Sequence, residues 1–232
     1  MIYYDLGKDI QAFTTDRTIG REPSLLCPLL GVPMERFARP HQVHRDSIYQ
    51  IDEAFFSLPH AEQRERLESI DAVISDVRGA CIGISTADCI PVIVYDSEHH
   101  VAAAIHAGWK GTVQRIVEKT IDKLQERYDT NPSLCTAAIG PGISQESFEV
   151  GHEVVECFEE AGFPMERYTI MREKPHIDLK AINRQQLLDK GIKEHCITVS
   201  TIDTFTDTQY FSARREQRGD VKCGRILTGF VL

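Results

Sequence analysis

A layered α/β sandwich is the fold class that this 232-residue sequence predicts. Three observations point there. Short strand-like runs such as PVIVY (residues 91–95) and VAAAI (101–105) are apolar on both faces, so their sheet needs cover on both sides. Other stretches carry apolar residues at helical spacing and can supply that cover. The two kinds of segment mix along the whole length without an internal repeat, a low-complexity tract or a Gly/Pro/Ser-rich linker. One compact domain over residues 1–232 is therefore expected.

Strands are expected at residues 71–75, 80–84, 91–95, 101–106, 135–139, 196–199 and 226–232. A helix over residues 112–128 puts Val113, Ile116, Val117, Thr120, Ile121 and Leu124 on one face, with Thr112 as N-cap and Asn131-Pro132 as the stop. A second, over 149–161, gathers Val150, Val154, Cys157, Phe158 and Ala161, and Gly162 is placed to end it. A third begins after Asp178 and ends near Gly191.

Charge and cysteine usage exclude several function classes. With 26 Lys and Arg against 35 Asp and Glu, the net charge of −9 lacks the footprint of a nucleic-acid or anionic-membrane binder, although a small anionic substrate could meet a local arginine cluster. The cysteines (Cys27, Cys81, Cys89, Cys135, Cys157, Cys196 and Cys223) are odd in number and irregularly spaced, with no C-x-x-C pair, so a secreted disulfide framework is not expected. The N-terminal MIYYDLGKDIQAF has no signal-peptide pattern, and no apolar run approaches the ~20 residues of a spanning helix. The reducing cytoplasm is the expected compartment.

The chemistry concentrates in STADCIPVIVYD and HVAAAIHAGWKGT, joined by the polar turn Asp96-Ser97-Glu98-His99. Such a pair reads as a β-hairpin. With Ser97-Glu98 as the loop, Cys89 falls directly opposite His106 on one face, where a thiolate and an imidazole could share a metal ion. A register slip of one residue would separate them. On spacing alone the pair fits a buried thiol beside a satisfied histidine equally well. The segment HQVH offers His41 or His44 as a further donor, and two His with one Cys match a catalytic zinc that keeps its fourth position open.

Two further segments are weaker signals. Gly140-Pro141-Gly142-Ile143-Ser144 follows a strand and could expose backbone N–H groups to an anion, or simply form a tight turn. Phe211-Ser212-Ala213-Arg214-Arg215 sets two guanidiniums beside an aromatic ring, suited to phosphate or to open solvent.

Taken in order, QVH (42–44), DAVISD (71–76), TADCIPV (86–92), HAGWKGT (106–112), IGPGIS with FEVG (139–151), DLKAINRQQL (178–187) and YFSARRE (210–216) resemble the laccase-domain, YfiH-like family. Its members, once called polyphenol oxidases, are regarded as purine nucleoside phosphorylases. The pieces span most of the chain, and TADCxP followed by HAGW(K/R)G is specific. The resemblance implies an α/β (α+β) fold, a three-layer αβα sandwich with a mixed β-sheet. It implies one zinc ion per chain on His44, Cys89 and His106, and so selects His44 over His41. The implied reaction is phosphorolysis of adenosine, inosine, guanosine or methylthioadenosine, with adenosine deamination as a companion. Purine nucleoside and phosphate are then the partners.

On this reading Arg45, Arg214 and Arg215 are phosphate candidates. The turn bearing Gly140 and Gly142 walls the pocket, and Asp88 could orient a ligand or a proton. The chain departs from the family's usual pattern at Asp203-Thr204, where Cys-Thr is common, at Ala213, at Arg45, and in the longer link over residues 217–223. The rival readings are a Cys-His hydrolase or deamidase using Cys89 as nucleophile, a copper-dependent phenol oxidase, and a purely structural zinc.

Overall fold

The computed structural model describes residues 1–219 and 224–232. Cys223 and the rest of segment 220–223, part of the lengthened link, lie outside the described residues. Among the described residues the strands are β1 (Ile2–Tyr4), β2 (Gln11–Thr14), β3 (Phe37–Ala38), β4 (Ile48–Ile51), β5 (Ala72–Ser75), β6 (Cys81–Thr86), β7 (Ile90–Asp96), β8 (Val101–Ala107), β9 (Thr136–Ile139), β10 (Thr169–Met171), β11 (Pro175–Ile177), β12 (Ile197–Val199) and β13 (Ile226–Val231). The helices are α1 (Pro23–Leu30), α2 (His60–Arg66), α3 (Trp109–Val113), α4 (Ile116–Tyr128), α5 (His152–Glu160), α6 (Leu179–Asp189) and α7 (Ala213–Gln217).

The expected α/β sandwich is present, and its β layer is double. A five-stranded sheet, ordered β1-β2-β13-β6-β3, faces a six-stranded sheet, ordered β12-β9-β7-β8-β5-β4. Both are mixed: β3 runs parallel to β6, β4 to β5 and β12 to β9, while the other pairs are antiparallel. The all-apolar strands explain the stacking. Along β7, Val92 and Val94 pack toward α4, α5 and α6, while Ile93 and Tyr95 pack toward Ile82 and Ile84 of the other sheet. On β8, Ala103 and Ile105 take the helical side, and Ala102 and Ala104 the side between the sheets. Period-two alternation thus places each apolar residue in one of two cores. A third, smaller core joins Phe13, Cys81 and Leu227 to Leu26 of α1.

Two helices differ from expectation. The run over 112–128 is split: Arg115 adopts a left-handed conformation (φ 59°) between α3 and α4, its guanidinium 4.3 Å from the Phe163 ring centroid. Thr112 is therefore no N-cap but a buried residue of α3, bonded through its hydroxyl to Asn183. Residues 149–150 are extended instead of helical, because Glu149 bridges to His176 and Val150 N–H donates to Pro175 O. Gly162 (φ 82°) follows α5, and the Asp178 carboxylate caps α6 by accepting from Ala181 N–H.

Candidate metal centre

The centre forms where the chain crosses between the sheets. Residues 87–89 carry it from β6 in one sheet to β7 in the other, and the segment bearing His44 links β3 to β4 in the same manner. His106, near the end of β8, shares the inter-sheet face of Ala102 and Ala104. Both crossings turn through left-handed residues, His44 (φ 62°) and Asp88 (φ 82°), a conformation that non-glycine residues rarely adopt.

These turns bring three donors together. One ligand atom each from His44 (exposed), Cys89 (half-buried) and His106 (buried) lie within 4.8 Å of one another. The two imidazoles meet edge to face, with centroids 4.8 Å apart. A Cβ on Gly108 would stand 3.0 Å from Cys89 Sγ and 3.1 Å from His44 Cδ2, so a bare backbone is what lets the chain pass this closely.

The hairpin register is not the one expected from a two-residue loop. Asp96 pairs with Val101, and Pro91, not Cys89, stands opposite His106. The loop holds four residues because the Asp96 carboxylate accepts from the N–H groups of Glu98 and His99 and contacts the His99 ring. The shift is by two residues, so Cys89 stays on the face of His106 and reaches it diagonally.

Asp71, the first residue of DAVISD, belongs to the site although no ligand motif marks it in the sequence. It is fully buried. Its Oδ1 accepts from His44 N–H (2.8 Å) and from the His106 ring at Nδ1 (2.7 Å), and its Oδ2 from the N–H groups of Val43 (3.2 Å) and Arg45 (2.9 Å). One carboxylate thus folds the QVH turn and fixes the His106 tautomer, leaving Nε2 to face Cys89 and His44. The signal was strand pairing: Ala72 opposite Ile105 puts Asp71 beside His106.

Charge follows from this contact set. Burial opposes ionisation of Asp71, yet the bonds from His106 and the turn amides hold its carboxyl below the usual range. Burial likewise pushes the Cys89 thiol up, but the neighbouring His106 and the hydrogen bonds from both histidines outweigh it, so the thiolate is favoured. Against its own burial, His106 is held above the ordinary histidine value by that thiolate and by Asp71.

A cavity of about 460 Å³ opens on the cluster, lined by His44, Cys89 and His106 together with Trp109, Phe148, Ile143, Ala213 and several arginines. Of the sequence-predicted phosphate residues, Arg214 reaches it, with Nη2 donating to Glu149 O and the guanidinium 5.9 Å from the Phe148 ring centroid. Arg215 does not. Its buried side chain donates to the carbonyls of Phe205, Asp207 and Tyr210, which shapes that loop. Arg45 is exposed and outside the lining.

Gly140 packs against Tyr4 and Pro91, and Gly142 against Ile90 behind the cluster, so of the 140–144 turn only Ile143 lines the cavity. The Asp88 carboxylate is committed elsewhere: it accepts from Thr204 Oγ1, Ser212 Oγ and Arg214 N–H. Asp203 ties the adjoining turn by accepting from Ser144, Ser147 and Phe205.

The His-Cys-His cluster and the cavity over it give this α/β sandwich a candidate metal site. Residues 12–232 match the family model for multi-copper polyphenol oxidoreductase laccase, and the chain belongs to this laccase-domain family, as the motifs implied. A Bacteroides thetaiotaomicron protein named purine nucleoside phosphorylase is 40% identical over 218 residues, covering 92% of this chain and 80% of the relative. A protein from an unknown prokaryotic organism, named adenosine deaminase RL5, is 38% identical over 204 residues, covering 86% and 76%. The solved structure of Bacillus licheniformis hypothetical protein YfiH shares the fold, with a TM-score of 0.84 at 24% identity over 96% of this chain and 92% of that one.

Proposed function

We propose that this protein is a zinc-dependent purine nucleoside phosphorylase, acting on adenosine, inosine, guanosine and methylthioadenosine, with adenosine deamination as a companion activity. The observation that carries the proposal is the three-donor cluster opening into an arginine-lined cavity of a size that suits a small ligand. The names of the relatives support the substrate class. Two imidazoles and a favoured thiolate match the donor preferences of zinc, and three protein donors leave one position for water or substrate. A bound zinc would supply a Lewis acid and make water nucleophilic near neutral pH.

The chain's own residues do the rest. Asp71 keeps the His106 proton on Nδ1, and Trp109 and Phe148 offer aromatic surface to a purine. In phosphorolysis a phosphate oxygen bonds to ribose C1′ while the C1′–N9 bond breaks; the purine leaves with the bonding pair and takes a proton. In deamination water adds at C6 of adenosine and ammonia departs. A cytoplasmic setting is part of the proposal; no helix among the described residues is long and apolar enough to cross a membrane.

The test is incubation of the zinc-loaded protein with adenosine, with and without phosphate. Adenine forming only with phosphate, and inosine without it, are the expected products; formation of neither overturns the proposal. The multi-copper reading needs many more ligands, whereas one three-donor cluster exists among the described residues. Several copper ions per chain would restore it. The lowered Cys89 thiol favours a second reading, a Cys-His hydrolase. Chelation separates the two, since it silences a zinc enzyme and spares a thiol hydrolase. Under the proposal, His44→Ala removes activity with the fold retained; unfolding would mark a structural metal instead.

A further inference from the structure

Among the described residues, the cavity over the cluster carries Arg21, Arg39, Arg214 and Arg225 and a single carboxylate, Asp88. In a chain of net charge −9 this is a local reversal of sign. Asp88 makes no ion pair with these arginines among the described residues; its two oxygens accept from Thr204, Ser212 and the Arg214 backbone. Arg214 is partly committed, with Nη2 on the Glu149 carbonyl.

Arg39 is in a different situation. It follows directly on β3 and leans on β6, where Nη1 reaches Ser85 Oγ at 3.3 Å, a long contact. Its Nε is buried with no hydrogen-bond partner among the described residues. Burial and the like charge of Arg21 both work against its charged form, and nearby Glu22 offsets only part of this. Ser85 is itself held firmly: the Gln42 side chain donates to its carbonyl (2.9 Å) and accepts from its N–H (2.8 Å), standing in for a neighbouring strand. Arg39 also borders a second cavity of about 660 Å³, which shares Arg21, Pro40 and His41 with the first. A guanidinium kept partly buried, crowded by a second cation and short of acceptors is costly unless an anion completes it.

We propose that Arg39, with Arg21 beside it and Ser85 beneath it, is the oxyanion-binding element of this cavity and takes a phosphate group, either inorganic phosphate or the 5′-phosphate of a purine nucleotide. A planar guanidinium suits two oxygens of one tetrahedral anion. That the anion is a co-substrate rests on the phosphorylase reading above; that it binds at Arg39 does not.

The experiment is titration calorimetry of the zinc-loaded protein with inorganic phosphate, adenosine 5′-monophosphate and adenosine. It compares wild type, Arg39→Gln, Arg39→Lys and a charge control, Arg66→Gln, whose exposed side chain pairs with Glu62 outside both cavities. Loss of a charged, forked contact weakens binding by about tenfold or more. Arg39→Gln is expected to lose that much for phosphate or for the nucleotide, with a smaller change for adenosine, and Arg66→Gln to match wild type. A loss seen with inorganic phosphate identifies the co-substrate; one confined to adenosine 5′-monophosphate identifies the nucleotide.

Arg39→Lys keeps the charge without the fork and is expected to fall between wild type and Gln; it carries the test if the Gln variant does not fold. Wild-type affinity for both anions in Arg39→Gln, or no anion binding by wild type, overturns the proposal. Phosphate binding that depends on Arg39 in a protein that forms no adenine would overturn only the phosphorylase reading.

Discussion

Two buried aspartates flank the cluster and serve it differently. Asp71 stands on the hairpin side and binds the His106 ring and the backbone of His44, so it touches one donor and shapes the turn of another. Asp88 is next to Cys89 in sequence, yet it reaches across to Thr204, Ser212 and Arg214, none of which belongs to the cluster. The candidate metal donors are thus organised by nearby strands, whereas the cavity wall is organised by a segment more than a hundred residues away. Adjacency in sequence to a donor does not decide which function a carboxylate serves; its acceptor geometry does. Metal holding and substrate holding should therefore separate by mutation.

Asp71→Asn should have the largest effect. Each carboxylate oxygen accepts from two donors, so an amide NH2 in either orientation meets N–H groups. A loss of about 2–4 kcal/mol in urea unfolding is expected, with metal affinity lowered about 10–100-fold. Wild-type metal affinity in this variant would break the contrast at once. Asp88→Asn is milder. Its amide oxygen can keep Ser212 and Arg214 while its NH2 donates to the Thr204 hydroxyl, and Asn tolerates the left-handed backbone at φ 82°. About 1 kcal/mol of stability should go, with a raised KM for substrate and full metal content by elemental analysis. Loss of metal here would mean that the two regions are one.

Much of this was legible in the sequence, for reasons that can be stated. The apolar strands gave the covered sheets, because burial on two faces leaves no polar alternation. The three donors were legible in the motifs, and the Cys89–His106 pairing survived a wrong loop length because the error was an even number of residues. The split at Arg115 was hidden, since it follows from a tertiary contact with Phe163. The commitment of Arg215 to carbonyls was hidden for a similar reason: a guanidinium can serve carbonyls as well as phosphate, and only folding shows which are within reach. Arg39 gave no signal at all, because its environment comes from β6 and Gln42.

Asp203 sharpens the comparison through pH. It sits on the wall side, where burial would raise its carboxyl pKa, but hydrogen bonds from Ser147, Phe205 and Ser144 hold it below the usual carboxylate range. A folded value below the unfolded one stabilises the protein above about pH 4, and that contribution is lost as pH falls through the folded value. Asp203→Asn should therefore cost about 1 kcal/mol at neutral pH, allowing for solvent screening, and progressively less toward pH 3 in urea titrations. An undiminished difference at low pH would show that shape, and not charge, holds this wall.

The smallest effect is expected at Arg45. Its backbone N–H is one of the three that Asp71 gathers, but its side chain is exposed and lines no part of the cavity. Arg45→Ala leaves that backbone bond in place, so stability should stay within about 0.5 kcal/mol and the KM for phosphate should stay at the wild-type value. A rise in phosphate KM without loss of metal would place substrate contacts on the hairpin side as well. The division of labour between the Asp71 and Asp88 regions would then fail at its nearest point, one residue from a donor.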